Sequence, residues 1–337
     1  MIGRARRFGF TIVELLIVIV VIGILAAITI VAYNGIQNRA KTASIQADVS
    51  NAQKKIKIAQ IQVATETYPS SITSCPTPVA GALCITSANN TLSYQVDNSV
   101  SPASYCFSAQ ANGGDGYYVD ESGKVLPGSC ALKSCYEIQQ VGGSKGTGVY
   151  WIQPSTIAFR VYCDMQTSGG GWTLIMTNPG PYSIWDTTKT LTVNTSQPSI
   201  SSQYSIVSRA DTIKTNFGGN LRYRFDAAEI GRWGGVWEAP FALSFTSTTN
   251  PGAANATNIE QYDSGSWTID TNFADGASAP TNVMPYMLDA TRLLTTSTST
   301  SSWYGTLVSY SGSFSPAPWR SGGSSATNPG IIWYWVR

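Results

Sequence analysis

The sequence predicts an α+β chain. A long N-terminal membrane-spanning helix packs on a small antiparallel sheet and is followed by a disulfide-bonded, β-rich distal domain. Three observations carry this. Residues Leu15 to Ala32 form an apolar run without a single charge. An amphipathic stripe continues that run, and no proline interrupts the chain from Phe10 to Tyr68. Beyond Lys133 the composition changes, and this part holds all ten tryptophans. The chain has 337 residues, and domains average roughly 100–200, so more than one folded unit is expected. The divisions read as 1–9, a basic leader; 10–67, the helix, with 10–32 crossing the membrane; 68–132, a small β unit; and 133–337, the distal domain.

Composition excludes several functions. Lys and Arg number 21 against 19 Asp and Glu, a net charge of +2. No nucleic-acid partner is expected, because phosphate binding needs a basic face. Charged residues are 12% of the chain, about half the usual share. Histidine is absent, which removes Ser-His-Asp triads and His-ligated zinc. No enzymatic activity is expected. A surface glycosidase built from carboxylates is the remaining chemical route, and no acidic pair is marked out for it. The six cysteines include no C-x-x-C. Beyond a membrane-crossing segment they read as three disulfides in an oxidising compartment. Sequence alone leaves every pairing open, while spacing favours Cys75–Cys84, Cys106–Cys130 and Cys135–Cys163.

Eighteen residues from Leu15 to Ala32 make about 27 Å of helix, close to the ~30 Å hydrocarbon core. Arg4, Arg6 and Arg7 precede it without an acid. The positive-inside rule keeps them cytoplasmic and places residues after about 33 outside. Ala26-Ala27 is a poor site for ordinary signal cleavage. Glu14 stands at the edge of the apolar run. A charge at the centre of a spanning helix costs about 2.5–3.5 kcal/mol and less near the interface, so this carboxylate needs a partner or a headgroup.

The basic leader, Gly9 and then Phe10-Thr11-Ile12-Val13-Glu14-Leu15-Leu16 resemble the class III signal of type IV prepilins. The resemblance implies cleavage after Gly9 by a prepilin peptidase and N-methylation of Phe10. It also implies assembly with other pilin subunits, with Glu14 pairing the Phe10 amine of a neighbour. Localisation follows: the cytoplasmic membrane before assembly, then the cell surface in a pilus fibre. Pilins often carry a helix-breaking proline partway along this helix, and here only Gly23 interrupts the run.

Ile45, Val49, Ala52, Ile56, Ala59 and Val63 recur at steps of four and three, an amphipathic stripe. Lys41, Asp48, Lys54, Lys55 and Lys57 lie off it. The helix is expected to end before Pro69, since a residue preceding proline avoids the α region. Leu92–Val96 and Tyr105–Ala109 read as strands. Tyr117–Asp120 and Lys124–Leu126 flank Glu121-Ser122-Gly123, a hairpin signal. So small a sheet cannot bury enough surface alone, so it must pack on the helical stripe, as in a pilin.

The distal part has twelve Lys and Arg and twelve Asp and Glu. It contains Tyr162-Cys163-Asp164 and, four residues later, Gly169-Gly170-Gly171-Trp172. With Ser134–Ile138 and Gly148–Ile152, these resemble the start of a bacterial fibrinogen-related domain, whose disulfide maps onto Cys135–Cys163. The resemblance weakens beyond residue 180: the family's second disulfide and its calcium loop are missing. Asp270, Asn272 and Asp275 form an oxygen-rich set. Calcium is the cation such a set could take, although the spacing departs from an EF loop and a solvated turn explains the residues more simply. Tyr262, Trp267, Trp303, Tyr304 and Trp319 read as exposed aromatics beside Asn and Asp, a combination suited to sugars. The terminal strand pattern, Gly330 to Arg337, is expected to close the core. Gly142-Gly143-Ser144-Lys145-Gly146 matches G-x-S-x-G, but without histidine it has no base and reads as a flexible loop.

These readings combine into a minor type IV pilin-like subunit that displays a fibrinogen-like domain, binding glycans or a host or partner-cell surface. The alternatives are a pseudopilin of a secretion or DNA-uptake machine and a simple membrane-anchored receptor.

Overall fold

The computed structural model describes residues 12–62, 67–73, 82–98, 102–111, 116–130, 132–155, 157–180, 185–247, 256–262, 284–287, 292–295, 306–309 and 330–337. One helix, α1 (Ile12–Ile61), occupies the first fifty described residues. No proline interrupts it, and its second half is held by a buried apolar stripe. Gln62 N–H still donates to Ile58 O at 3.2 Å, but Thr67 is already non-helical, so the helix stops short of the expected residue 67. The backbone groups of Tyr68 turn instead to one side chain. Its N–H donates to Asn98 Oδ1 and its carbonyl accepts from Asn98 Nδ2, both at 2.9 Å.

Two short strands, β1 (Ser71–Thr73) and β2 (Ala82–Cys84), pair in parallel. An antiparallel sheet follows, made of β3 (Asn90–Asp97), β4 (Ser104–Ala111), β5 (Gly116–Asp120) and β6 (Leu126–Pro127) in sequential order. The last strand begins at Leu126 and not at Lys124. The turn at Glu121–Gly123, with Gly123 at φ +78° and its N–H on Asp120 O at 3.0 Å, carries on into an unpaired segment before pairing resumes. Ile45, Val49, Ala52 and Ile56 are buried against Tyr105, Phe107, Ala109 and Val119 of this sheet. The stripe thus meets the face it predicts, while Ala59 is half-buried and Val63 lies outside the described residues. Polar ties fix the helix rotation: Asp48 Oδ2 accepts from Ser87 Oγ at 2.5 Å and Asn90 Nδ2 at 2.7 Å, and Gln53 Nε2 donates to Gly123 O at 3.0 Å.

The distal domain opens with α2 (Cys135–Gln140), capped by the Ser134 side chain on the Glu137 N–H. Its main sheet uses β7 (Gly148–Ile152), β8 (Phe159–Asp164), β9 (Trp172–Asn178), β10 (Tyr204–Ser205), β11 (Asn220–Ala227), β12 (Glu229–Pro240), β13 (Thr257–Gln261) and a terminal strand. Helices α3 (Thr187–Leu191) and α4 (Ala210–Ile213) cross between strands. A separate antiparallel pair, β14 (Arg292–Thr295) and β15 (Thr306–Ser309), precedes the terminal β16 (Ile332–Val336). The order is β13-β12-β11-β16-β9-β8-β7, with β10 beside β9. The C-terminal strand therefore sits at the centre of the sheet, antiparallel to both β11 and β9. All five of its residues are buried, so this strand is part of the core and not an edge added to it.

The two units share a third apolar cluster. Cys106 and Tyr118 of the proximal sheet, and Cys130 just beyond it, pack with Trp151 of β7. Cys106–Cys130 and Cys135–Cys163 are disulfides. Cys84 is disulfide-bonded too, and its expected partner Cys75 lies outside the described residues. The segment 142–146, expected to be flexible, is instead pinned to the proximal unit, because Tyr118 Oη donates to Gly143 O at 2.8 Å. A Cβ on Gly143 would lie 2.5 Å from Pro127 O, so the approach requires glycine.

Candidate functional site

Two features stand out: the unburied half of α1 and a charge cluster inside the distal sheet. From Ile12 to Ile36 the large apolar side chains of α1 that the structure describes are exposed. Such a surface is stable only in lipid or against other helices. The helix is long and apolar enough to cross a membrane. Glu14 lies in its first described turn. Gly9 and Phe10, the expected processing and methylation residues, fall outside the described residues.

The distal motif residues meet around a turn. Asp164 ends β8, and its Oδ1 accepts from the N–H groups of Gln166 and Thr167, both at 3.0 Å. Gly169, Gly170 and Gly171 all have positive φ, between +67° and +79°. A Cβ on Gly170 would stand 2.2 Å from Met165 O, so glycine is a steric requirement there. Trp172 then enters β9 with its indole N–H on Thr167 O at 3.0 Å. Tyr162 is half-buried, its ring 6.4 Å from that of Trp335. Cys163 holds α2 through Cys135.

Beneath this turn lies Arg224, whose side chain is fully buried. Its Nε donates to Asp226 Oδ2 at 2.9 Å and its Nη2 to Asp164 Oδ2 at 2.8 Å. Its guanidinium carbon lies 5.3 Å from the Trp172 ring centroid and 4.4 Å from that of Trp335. Nη1 is buried with no hydrogen-bond partner among the described residues. Burial works to raise the pKa of Asp164, but Arg224 and the turn amides outweigh it and hold the carboxyl below its usual range. For the fully buried Asp226, burial outweighs Arg224 and pushes the pKa up. Arg337 closes the other side, with Nη1 on Ser168 O at 3.1 Å and Gly170 O at 2.9 Å. The motif therefore organises a core. Among the described residues both carboxylates, Asp164 and Asp226, are spent on Arg224 and on backbone N–H groups inside this core.

Sequence reading overlooked Arg224 and Asp226. Their signal was present: Arg222, Arg224 and Asp226 share one face of β11, opposite Leu221, Tyr223, Phe225 and Ala227. Tyr262 was expected at the surface. It is only 7% exposed, and its hydroxyl is spent on Ser168 Oγ at 2.6 Å, because β13 lays it against the same turn. Trp267, Trp303, Tyr304, Trp319, Asp270, Asn272 and Asp275 lie outside the described residues. Among the described residues no group of three or more His, Cys, Asp or Glu is placed to hold a metal.

The geometry defines a chain with an exposed apolar helix long enough to cross a membrane and a disulfide-bonded β-rich head. Two family models narrow that class. The prokaryotic N-terminal methylation motif matches residues 4–30, and the C-terminal globular domain of fibrinogen beta and gamma chains matches residues 131–180. The chain is pilin-like at its N-terminus and carries a fibrinogen-like domain. It is similar to human angiopoietin-4, 47% identical over 53 residues, which is 15% of this chain and 10% of that protein. It is also similar to the chicken (Gallus gallus) fibrinogen beta chain, 49% identical over 45 residues, 13% of this chain and 10% of that one. The chain thus spans about a tenth of the length of the curated relatives it matches. Among solved structures it resembles the fibrinogen-like globe domain of human ANGPTL2, with a TM-score of 0.38 at 13% identity, covering 61% of this chain and 98% of that one. The corresponding globe of human ANGPTL6 gives a TM-score of 0.32 at 14% identity, over 61% and 95%.

Proposed function

We propose that this protein is a minor, non-enzymatic subunit of a type IV pilus-like fibre, whose distal domain adheres to glycans or to another cell's surface. The observation that carries this reading is the division of α1. The apolar side chains of one half, described from Ile12 to Ile36, are exposed, and the other half holds a disulfide-bonded sheet and the head beyond it. The first half sits in the membrane before assembly and in the fibre core afterwards. Residues beyond about 33 are extracytoplasmic, where the disulfides form. A prepilin peptidase and other pilin subunits are the partners this requires. Adhesion would come from many weak contacts displayed together.

The test is mechanical. Cells are sheared, fibres are separated from membranes, and both fractions are probed with an antibody to residues 133–337. Gold label on the fibres, abolished by Glu14→Ala, and fibre binding on a glycan array are the expected results. Label confined to the membrane fraction, beside normal unlabelled fibres, would replace the proposal with an anchored receptor or a pseudopilin.

A further inference from the structure

The junction between the two units brings together an amine and a carboxylate in a setting suited to condensation. Asp120 is the last residue of β5, and the Lys145 ammonium of the distal loop rests on its Oδ2. Only 16% of the lysine side chain and 5% of the aspartate side chain are exposed. The other oxygen, Oδ1, accepts from the Ser122 N–H at 2.9 Å and from the Ser122 hydroxyl. Lys145 cannot swing away easily. Its N–H donates to Tyr150 Oη at 2.7 Å, and the Tyr150 hydroxyl donates to Gly146 O at 2.5 Å. The Tyr150 ring centroid lies 5.0 Å from Nζ. Glu121, the next residue after Asp120, has a buried Oε2 with no hydrogen-bond partner among the described residues. Burial, and then the neighbouring Asp120 charge, push its pKa up, favouring a carboxyl that can give and take a proton.

We propose that Lys145 and Asp120 condense into an isopeptide bond that covalently staples the distal domain to the proximal sheet. The ammonium first passes a proton to the carboxyl. The neutral amine attacks Asp120 Cγ, the Nζ–Cγ bond forms, and the Cγ–Oδ2 bond breaks. Oδ2 departs as water with the two protons that nitrogen sheds, so an ion pair becomes an amide plus water with no oxidant or co-reactant. Ser122 holds Oδ1 where the tetrahedral intermediate carries its charge. Glu121, next in the chain and interacting electrostatically with both Asp120 and Lys145, is the carboxyl available to carry the proton from nitrogen to the leaving oxygen. Two effects favour the product. Withdrawing a pair of charges from water costs several kcal/mol per ion, and the amide removes both charges. Fixed neighbours also react at effective concentrations of about 10⁵–10⁸ M.

The test is peptide mapping of the full-length protein after reduction and alkylation. Trypsin is expected to fail at Lys145. The fragment carrying residues 134–160 is then recovered joined to the one carrying Asp120, the pair lighter than their sum by one water. Bulk recovery of Lys145 as a free, cleaved terminus would overturn the proposal and leave a simple ion pair. Lys145→Arg supplies an unlinked reference. Reduced wild-type protein should migrate faster than this variant on a denaturing gel, because the bond closes a loop across a sequence separation of 25. Glu121→Gln keeps both reacting groups and is expected to leave linear chains that link slowly; full linkage in that variant would remove Glu121 from the step.

Discussion

The two folded units bury different materials. Between α1 and its sheet the contact is made by an apolar and aromatic cluster, from Ile45 through Val119. The buried polar residues described in that sheet, Ser104, Ser108 and Asp120, are few and only one is charged. The larger distal core carries Arg224 and Asp226 fully buried within it, with Asp164 nearly so. The first core is stabilised by area removed from water, so it should respond to lost volume. The second has a charge balance as well, so it should respond most to a side chain that leaves an acid unpaired. Arg224→Met is the sharpest test. It preserves much of the volume between Trp172 and Trp335 but strands two carboxylates, and should cost about 3–5 kcal/mol. Tryptophan fluorescence during urea unfolding reads this directly, because all ten tryptophans lie in the distal part. Adding Asp226→Leu should restore part of the loss. If the double variant fell further instead, packing and not charge would govern this core.

The cluster between α1 and the proximal sheet should answer to volume, and only along the half of α1 that the sheet covers. Ile56 is 0% exposed and Ile19 is 58% exposed, on one continuous helix. Ile56→Ala should cost about 2–5 kcal/mol, seen as faster hydrogen exchange across Ser104–Ala111 in detergent micelles. Ile19→Ala should stay within about 0.5 kcal/mol in the same experiment, since its side chain is exposed. Equal effects would mean that the two halves of the helix do not differ as their burial indicates.

Much of this contrast is legible in the sequence. Helical periodicity is a strong signal, so the stripe at Ile45, Val49, Ala52 and Ile56 stands out from residue spacing alone. Period-two alternation and turn glycine locate β3, β4 and β5 to within two residues of their ends. The distal cluster is harder to read. A strand with charges on one face has the pattern of a half-exposed strand, and only tertiary covering distinguishes Arg224 from a solvated arginine. The same ambiguity misplaces Tyr262. It also makes loop 142–146 look free, because the contacts that pin it come from Tyr118 and Asp120, more than twenty residues away.

The smallest expected effect concerns acid. The folded pKa of Asp164 lies below its ordinary value of about 3.9, because Arg224 and the turn amides overcome the opposing effect of burial. Its contribution to stability is therefore complete above that ordinary value and is lost as pH falls through the lower folded value. Asp226 is shifted the other way by burial, so its contribution is present at low pH and declines as pH rises through its folded value. Glu121, beside the proximal sheet, shares that second sign, raised first by burial and then by Asp120. Acidification should thus weaken the distal domain through Asp164. Asp164→Asn removes the acid-sensitive share and leaves the opposing share of Asp226. The tryptophan-detected urea midpoint of the variant should start lower at neutral pH but fall less between about pH 5 and pH 2 than that of the wild type. Parallel curves would show that Asp164 takes no part in the acid response, and the charge balance would then rest on Asp226 and Arg224 alone.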